Sequence, residues 1–210
     1  MKSILFNTEM VRAILDGRKT VTRRVLKTEK HIPDDAVFGY TGFTPKGYIS
    51  CRGTFVDDNG NKRYGENYIK IPYQIGDILY IRETWAKISD WIDVDPEVGI
   101  FDGYIYKASW ANGEEHPAWR PSIHMPKEAA RIFLRVTDVK VERLQDITEE
   151  QAKAEGIDTN NKTLSARCIF QYHLWNSTIK KSDLDKYGWD ANPWVTVNKF
   201  ERIKNVHSLP

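Results

Sequence analysis

Residues 17–24, Gly-Arg-Lys-Thr-Val-Thr-Arg-Arg, constrain this chain more than any other stretch. Just before them, Met10, Val11, Ile14 and Leu15 recur at helical spacing, so Thr8 to Asp16 reads as a short helix with one apolar face. Gly17 is placed to stop that helix, because glycine accepts the left-handed backbone that a side chain resists. Val21 and Val25 then give the next segment strand character. That segment also carries Arg18, Lys19, Arg23 and Arg24, interleaved with Thr20 and Thr22. Such a strand is poor core material and good anion-contact material. Basic runs are commonly no more than solvated surface; here the helix-to-strand joint can aim several side chains at one point. Lys19 and Thr22 are three apart and face opposite sides in a regular strand. They converge only if Lys19 belongs to the turn and the strand begins near Thr20.

The length, 210 residues, suits one elaborated domain with a proper core. Net charge is only +2, so any nucleic-acid contact must come from a local patch. Cys51 and Cys168 are the only cysteines, which leaves no four-cysteine zinc site and no disulfide framework. No cofactor or metal is expected. Residues 1–30 hold no signal-peptide-like apolar run, and no later run is long enough to span a membrane. A reducing cytoplasm and a monomer are the defaults.

Along the chain, Ser3 to Phe6 reads as a first strand. Residues 31–70 are irregular and read as an insertion, with a hairpin from Gly53 to Tyr68 around a two-residue Asn59-Gly60 turn. Gly76-Asp77 leads into a central strand from Ile78, ending in Arg82-Glu83-Thr84-Trp85. Residues 86–117 form a second insertion, with a strand between Gly103 and Trp110. Trp119 to Pro126 reads as an extended segment bracketed by prolines. Within it Arg120, Ser122 and His124 share parity and would line one wall of a cleft; a lone histidine there also reads as scaffold. Lys127 to Ala130 makes one turn. Arg131 to Leu144 is a long strand whose apolar parity shifts between Val136 and Val139, which marks a bulge.

Thr148-Glu149-Glu150-Gln151 is a capping box, and Gly156 closes the helix it starts. A second helix runs from Leu164 to Trp175, with Leu164, Cys168, Tyr172 and Trp175 on one face. Trp189 to Pro193 is a turn and Trp194 to Ile203 the last strand, followed by a tail at 205–210. Trp175, Trp189 and Trp194 are read as packing residues. Glu155 lies in the last turn of its helix, where the macrodipole disfavours an anion by roughly 0.3–1 kcal/mol. Either the penalty is small enough for solvent to absorb, or Glu155 reaches a cation from a distant segment, for which Lys19 is the candidate.

The segments 17–24, 76–85 and 147–156, in this order, resemble the ASCH domain family. The G-x-K-x-x-T-x-R and T-E-x-x-A-x-x-E-G patterns are fairly specific together, and the segments at 119–126 and 189–194 are similar to longer phage and prophage members. The resemblance implies an α+β fold: a PUA-like mixed β-barrel with flanking helices, here a single domain over 1–204 carrying the two insertions. It also implies a cleft for RNA, single-stranded nucleic acid or a modified nucleoside. Small members hydrolyse the amide of N-acetylated cytidine with a lysine, a threonine and a glutamate. On the matching motifs these fall on Lys19, Thr22 and Glu155. At least one other member is linked to RNA cleavage. The chain exceeds the minimal domain at both insertions, so the small enzymes' substrate does not carry over automatically.

Two functions follow. One is an amidohydrolase, in which a base takes the Thr22 proton so that its hydroxyl can attack. Arg18, Arg23 and Arg24 push the Lys19 pKa down and Glu155 pushes it up. Glu155 orients Lys19 or returns the proton to the leaving amine, and Arg24, sharing parity with Thr22, holds an oxyanion or a phosphate. The other is a non-catalytic module that grips nucleic acid through Arg18, Arg23, Arg24, Arg82, Arg120 and His124, with Trp85 and Trp119 as stacking surfaces.

Overall fold

A computed structural model describes residues 1–57, 59–88, 103–110, 118–160 and 163–204. Its centre is a mixed five-stranded sheet ordered β1-β6-β9-β10-β2. Those strands are β1 (Lys2–Leu5), β2 (Val21–Val25), β6 (Ile78–Arg82), β9 (Phe133–Arg143) and β10 (Trp194–Arg202). Only β1 and β6 are parallel; the other neighbours run antiparallel.

The two edge strands, β1 and β2, are joined by helix α1 (Thr8–Leu15). Asn7 caps α1, its side-chain oxygen accepting from the Met10 N–H at 2.8 Å. Gly17 ends the helical run with φ of +76°. The sheet curls until its edges face each other, and Arg24 of β2 donates to the Leu5 carbonyl of β1 at 2.8 Å. Among the described residues no backbone ladder closes that seam.

Curling needs a local break in the longest ladder. Between β9 and β10 the register steps from Lys199↔Asp138 to Phe200↔Val136, so Thr137 is the extra residue of a bulge, in the place where the apolar parity shifts. Ile132, Leu134, Val136 and Val139 are all buried.

The first core cluster holds Ile4, Val11, Ile14, Leu79, Leu134 and Phe200. Residues Ile49, Cys51, Ile69 and Ile71 belong to the same cluster. They come from the neighbourhood of a second sheet, β3 (Val37–Gly39), β4 (Tyr48–Val56) and β5 (Lys62–Lys70), in that order. The 31–70 region therefore shares the central core rather than hanging from it. Its hairpin is longer than Gly53 to Tyr68, and its turn is not a two-residue one. Asp57 N–H donates to the Asn61 carbonyl at 3.0 Å, so Asn59-Gly60 sits inside a wider loop, with Gly60 at φ +82°.

Of the 86–117 region, a short pair is described, β7 (Trp85–Lys87) with β8 (Tyr104–Tyr106). The remainder, 89–102 and 111–117, lies outside the described residues, as does the 205–210 tail. Ser122–His124 is a 3-10 turn, not extended chain. Proline at 121 forbids nothing there, because proline fits the start of a helical turn. The common wall expected of Arg120, Ser122 and His124 therefore does not form.

The second core cluster packs β10 and β2 against the helical layer, through Val21, Val195, Val197, Ala152, Ile169 and Phe170. Helix α2 (Glu149–Ala154) carries the full capping box of Thr148 and Gln151, and Gly156 follows at φ +91°. Helix α3 (Ala166–Ile169) is capped by Ser165 and runs into a π-helical turn, Phe170–Trp175. That turn changes which face is buried. Ala166, Ile169, Phe170 and Trp175 point inward, whereas Leu164 and Tyr172 are exposed. An α-periodic reading misses this because one wide turn advances the phase by an extra residue. A last short helix, α4 (Leu184–Tyr187), precedes β10. No helix among the described residues is long and apolar enough to cross a membrane.

Candidate active site

The seam between β1 and β2 holds a cavity of about 280 Å³. Its polar side is Lys19, Thr22, Arg23, Arg24 and Glu155, and its apolar side includes Phe6, Met10, Phe170, Leu174 and Trp175. The volume sits at the low end of small-molecule pockets, roughly 300–1,000 Å³.

Lys19 is outside β2, in the turn after Gly17, and forms an isolated bridge with Glu155. This placement lets it share a cavity with Thr22 despite the parity of a strand. Backbone bonds fix it: Lys19 N–H donates to the Ala13 carbonyl and Thr20 N–H to the Ala154 carbonyl, both at 2.9 Å. The close approach depends on Gly156. A Cβ there would lie 2.8 Å from the Cβ atoms of both Ala13 and Lys19.

The Lys19 ammonium meets three acceptors. These are Glu155 Oε2 at 2.7 Å, the Glu155 carbonyl at 2.9 Å and the Val21 carbonyl at 2.8 Å. The carboxylate at the unfavourable end of α2 is thus offset by a cation that also binds the helix's terminal carbonyl. Lys19 and Glu155 are each 3% exposed. Burial pulls the Lys19 pKa below its usual 10.5, while Glu155 opposes that shift and Arg24 and Arg23 add to it.

Arg23 completes the polar floor. It donates to Glu155 Oε1 at 3.2 Å, to Glu142 Oε1 at 2.7 Å and to Gln151 Oε1 at 2.9 Å. Gln151 Oε1 also accepts from the Thr148 N–H, so the capping residue of α2 serves Arg23 as well. One guanidinium therefore braces both ends of α2. Its side chain has no exposed surface, so Arg23 is a structural clamp on Glu155 rather than a contact for external phosphate.

Thr22 is 4% exposed and lines the cavity, and its hydroxyl makes no hydrogen bond among the described residues. It is not among the buried unsatisfied atoms either, so the oxygen keeps access to the hollow. Asn198 faces Thr22 across the ladder and donates to its carbonyl at 3.3 Å. Arg24 and Lys19 sit over the Phe6 ring at 5.4 and 5.5 Å, an arrangement that holds both cations in place.

The other sequence candidates lie elsewhere. Arg18 pairs with Asp16 at 2.9 Å and donates to the Gly156 carbonyl, outside the cavity lining. Arg82 is opposite Leu5 in the β1–β6 ladder and donates to the Ile123 carbonyl. Trp85 packs with Met125 and Ala129 and does not line the cavity, so its ring is no wall for a ligand there. Arg120 stacks on Trp85 at 5.3 Å, and Trp119 meets Trp110 edge to face at 5.9 Å. His124 is exposed. Trp194 packs on Phe38 and Trp189 on Phe170, as packing residues do. Trp175 packs as well, 5.9 Å from Phe170, and it also forms cavity wall.

Sequence reasoning missed Phe6, Phe170, Trp175 and the Gln151–Glu142 support. Gln151 alone had a visible signal, in the capping box; the ring positions had none. Among the described residues no cluster of three or more His, Cys, Asp or Glu side chains is arranged to hold a metal.

The arrangement can hold a planar polar ligand between ring walls and a cationic floor. It also sets one free hydroxyl in the same cavity as an amine whose proton is loosened by burial. Comparison of the chain with protein-family models, curated proteins and solved structures finds no match.

Proposed function

We propose that this chain is a PUA-like protein of the ASCH type that hydrolyses the amide of an acylated nucleobase amine, of the N-acetylcytosine kind. The observation that carries the reading is the meeting of Lys19 and Glu155, from distant parts of the chain, at 2.7 Å in a cavity that Thr22 also lines. The curl of the central sheet, with one arginine spanning its unpaired edges, supports the barrel-like reading.

In the proposed reaction the base lies against Trp175 and Phe170, with its acyl carbonyl toward Arg24. Loss of one Lys19 proton to solvent leaves two N–H groups, one of them kept by Glu155 Oε2, and rotation about the Cε–Nζ bond turns the lone pair toward the Thr22 hydroxyl. Thr22 Oγ1 attacks the acyl carbon as its proton passes to the amine. Arg24 faces the oxyanion that develops. The C–N bond then breaks as the proton moves through the Lys19–Glu155 pair to the leaving amine, giving free base and an acyl-threonine. Water, deprotonated by the same pair, releases the carboxylic acid and restores Thr22.

The test is incubation with N-acetylcytidine and measurement of free cytidine and acetate. Turnover that disappears in Thr22→Val supports the reading. Absence of turnover across several acylated nucleosides would remove it.

One observation favours a binding-only pocket: all three Lys19 N–H groups already have acceptors, as suits a fixed cation. In that case Thr22→Val leaves ligand affinity unchanged and there is no hydrolysis to lose.

A further inference from the structure

The candidate cavity lies where the two edges of the central sheet face each other, but the smaller sheet keeps an edge open. Among the described residues β5 pairs with β4 and with no other strand. The two run in unbroken register from Tyr48↔Lys70 to Val56↔Lys62, with no bulge and no proline to blunt the edge. Parity says which backbone groups lie on the open side. Asp57 N–H donates to the Asn61 carbonyl at 3.0 Å and Ile71 N–H to the Gly47 carbonyl at 2.9 Å, so the odd-numbered residues of β5 bond to β4. The N–H and C=O groups of Lys62, Tyr64, Glu66 and Tyr68 therefore face outward. One of these is occupied, because the Tyr68 carbonyl accepts from Lys30 Nζ at 3.0 Å. The stretch from Lys62 to Glu66 stays open to a partner strand.

We propose that this edge pairs with the same edge of a second copy of the chain. The pair is antiparallel about a two-fold axis at Tyr64, so that Lys62 of one protomer faces Glu66 of its partner. The result is one sheet ordered β3-β4-β5-β5-β4-β3. This goes beyond the proposed hydrolase, since no residue from Lys62 to Glu66 lines its cavity.

The charge pattern selects the register. Facing residues on two open edges exchange both N–H···O bonds, so even-numbered residues must meet even-numbered residues. With the axis at Tyr64, a Lys62–Glu66 pair forms on each side of it. The Tyr64 ring, 72% exposed in the single chain, meets its own copy at the centre. Arg63, on the other face, meets Gly65, which has no side chain to oppose it. Other axes fail. One at Arg63 sets Arg63 against Arg63, and one at Lys62 sets Lys62 against Lys62; like charges directly opposite destabilise a strand pair. An axis at Gly65 or further along draws in Tyr68, whose carbonyl Lys30 already holds. Register is fixed in this way whenever the side-chain pattern is uneven.

Glu66 is held ready for its part. One carboxylate oxygen accepts from the Ser50 hydroxyl, which fixes the side chain, and the other carries no bond among the described residues. Lys62, Tyr64 and Glu66 are all exposed, so pairing moves none of them out of the core.

Sedimentation equilibrium of the full chain tests the proposal. So short a paired segment makes a small interface, and a dimer dissociation constant of about 10–100 µM is expected at low salt. Lys62→Glu and Glu66→Lys each set like charges opposite one another and should each weaken the dimer at least roughly 10-fold. Mixed together, the two variants should associate about as strongly as the unaltered chain, because every facing pair is then of opposite charge. Tyr64→Pro removes an N–H from the open side and none from the β4 ladder, so the fold should survive while the dimer is lost. Lys62→Glu changes only an exposed side chain, so the charge arm of the test does not depend on tolerance of the proline.

Loss of the dimer in Tyr64→Pro, with its return in the mixture of charge variants, upholds the proposal. A chain that stays monomeric to roughly 500 µM leaves the edge to solvent or to another protein's strand, and overturns it. A dimer that Tyr64→Pro and Lys62→Glu both leave intact uses another surface and also overturns it. Loss in each charge variant without return in the mixture overturns the register, and with it the pairing of Lys62 with Glu66.

Discussion

Among the described residues two ion-paired glutamates are buried, and of these Glu155 lines the cavity described above. Glu155 is held by Lys19 and Arg23, next to a hollow and an unengaged hydroxyl. Glu83 is 1% exposed and is gripped by both nitrogens of the Arg131 fork at 2.9 and 3.0 Å. Arg131 is closed in by Ser109 at 2.7 Å and by the Tyr106 ring at 4.0 Å. Glu83 is not part of the lining of the Glu155 cavity. A buried charge pair alone is therefore no sign of chemistry, because its usual work is to fix one packing arrangement. Open volume beside the pair, and a nucleophile with nothing else to bind, are what set Glu155 apart.

The sharpest way to break this contrast is Thr22→Val. Hydrolysis of N-acetylcytidine should fall by roughly 10²–10⁴-fold, the range for loss of a nucleophile in a cooperating set, with the melting temperature little changed. A small loss of rate would place Glu155 in the same class as Glu83.

Next come the two glutamates. Glu83→Ala should destabilise the fold modestly, because the freed Arg131 side chain is 28% exposed and reaches water, and Glu155→Ala by more, about 3–5 kcal/mol in chemical denaturation, because Lys19 is left buried without its carboxylate. Turnover by the folded fraction should persist in the first and vanish in the second. Equal loss of turnover in both would mean that the difference drawn between the two sites is wrong.

The pH dependence gives a finer test. Lys19 has a lowered pKa in the fold, so the base form appears as pH rises through a window below 10.5, and the rate should rise with it. Glu155 pushes the Lys19 pKa upward, so Glu155→Gln should move the ascending limb of residual activity to lower pH. Linkage has the same sign. Between its lowered native value and 10.5, Lys19 binds more proton unfolded than folded, so its contribution to stability increases with pH there. NMR titration of the Lys19 ammonium measures the shift directly, and an ordinary or raised value would exclude the general-base role.

The smallest effects compare two left-handed glycines. Gly60→Ala has open space around it and should cost only about 1 kcal/mol, the price of the backbone conformation. Gly156→Ala adds contacts at 2.8 Å with Ala13 and Lys19 and should cost more, with loss of turnover from the displaced lysine. Equal melting temperatures for the two variants would show that the approach of Lys19 to α2 is not tight.

Much of this site was legible because its signals are local. Gly17, the Thr148–Gln151 box, Gly156 and the parity shift after Val136 each report on a few neighbouring residues, and each lies where its chemistry predicts. Glu155 was informative through a local conflict, an acid at the wrong end of a helix, that only a distant cation resolves. The ring walls left no such trace. Phe6 and Trp175 reach the cavity through the curl of a sheet and the pitch of one turn, and neither property is written in apolar periodicity. The role of Arg23 was misread for a related reason: a charge run does not say which members find carboxylates inside. The core contributed by Ile49 and Ile69 was hidden because the region around them is rich in glycine, tyrosine and acid, a composition that signals surface.

The π-helical turn at Phe170–Trp175 makes one boundary of the cavity a matter of winding. Winding the same residues at ordinary α pitch would swing Trp175 by roughly 100° relative to Phe170. Trp175 would leave the wall without any change in its own identity. The shape of the cavity therefore depends on how one turn is wound as well as on which side chains line it.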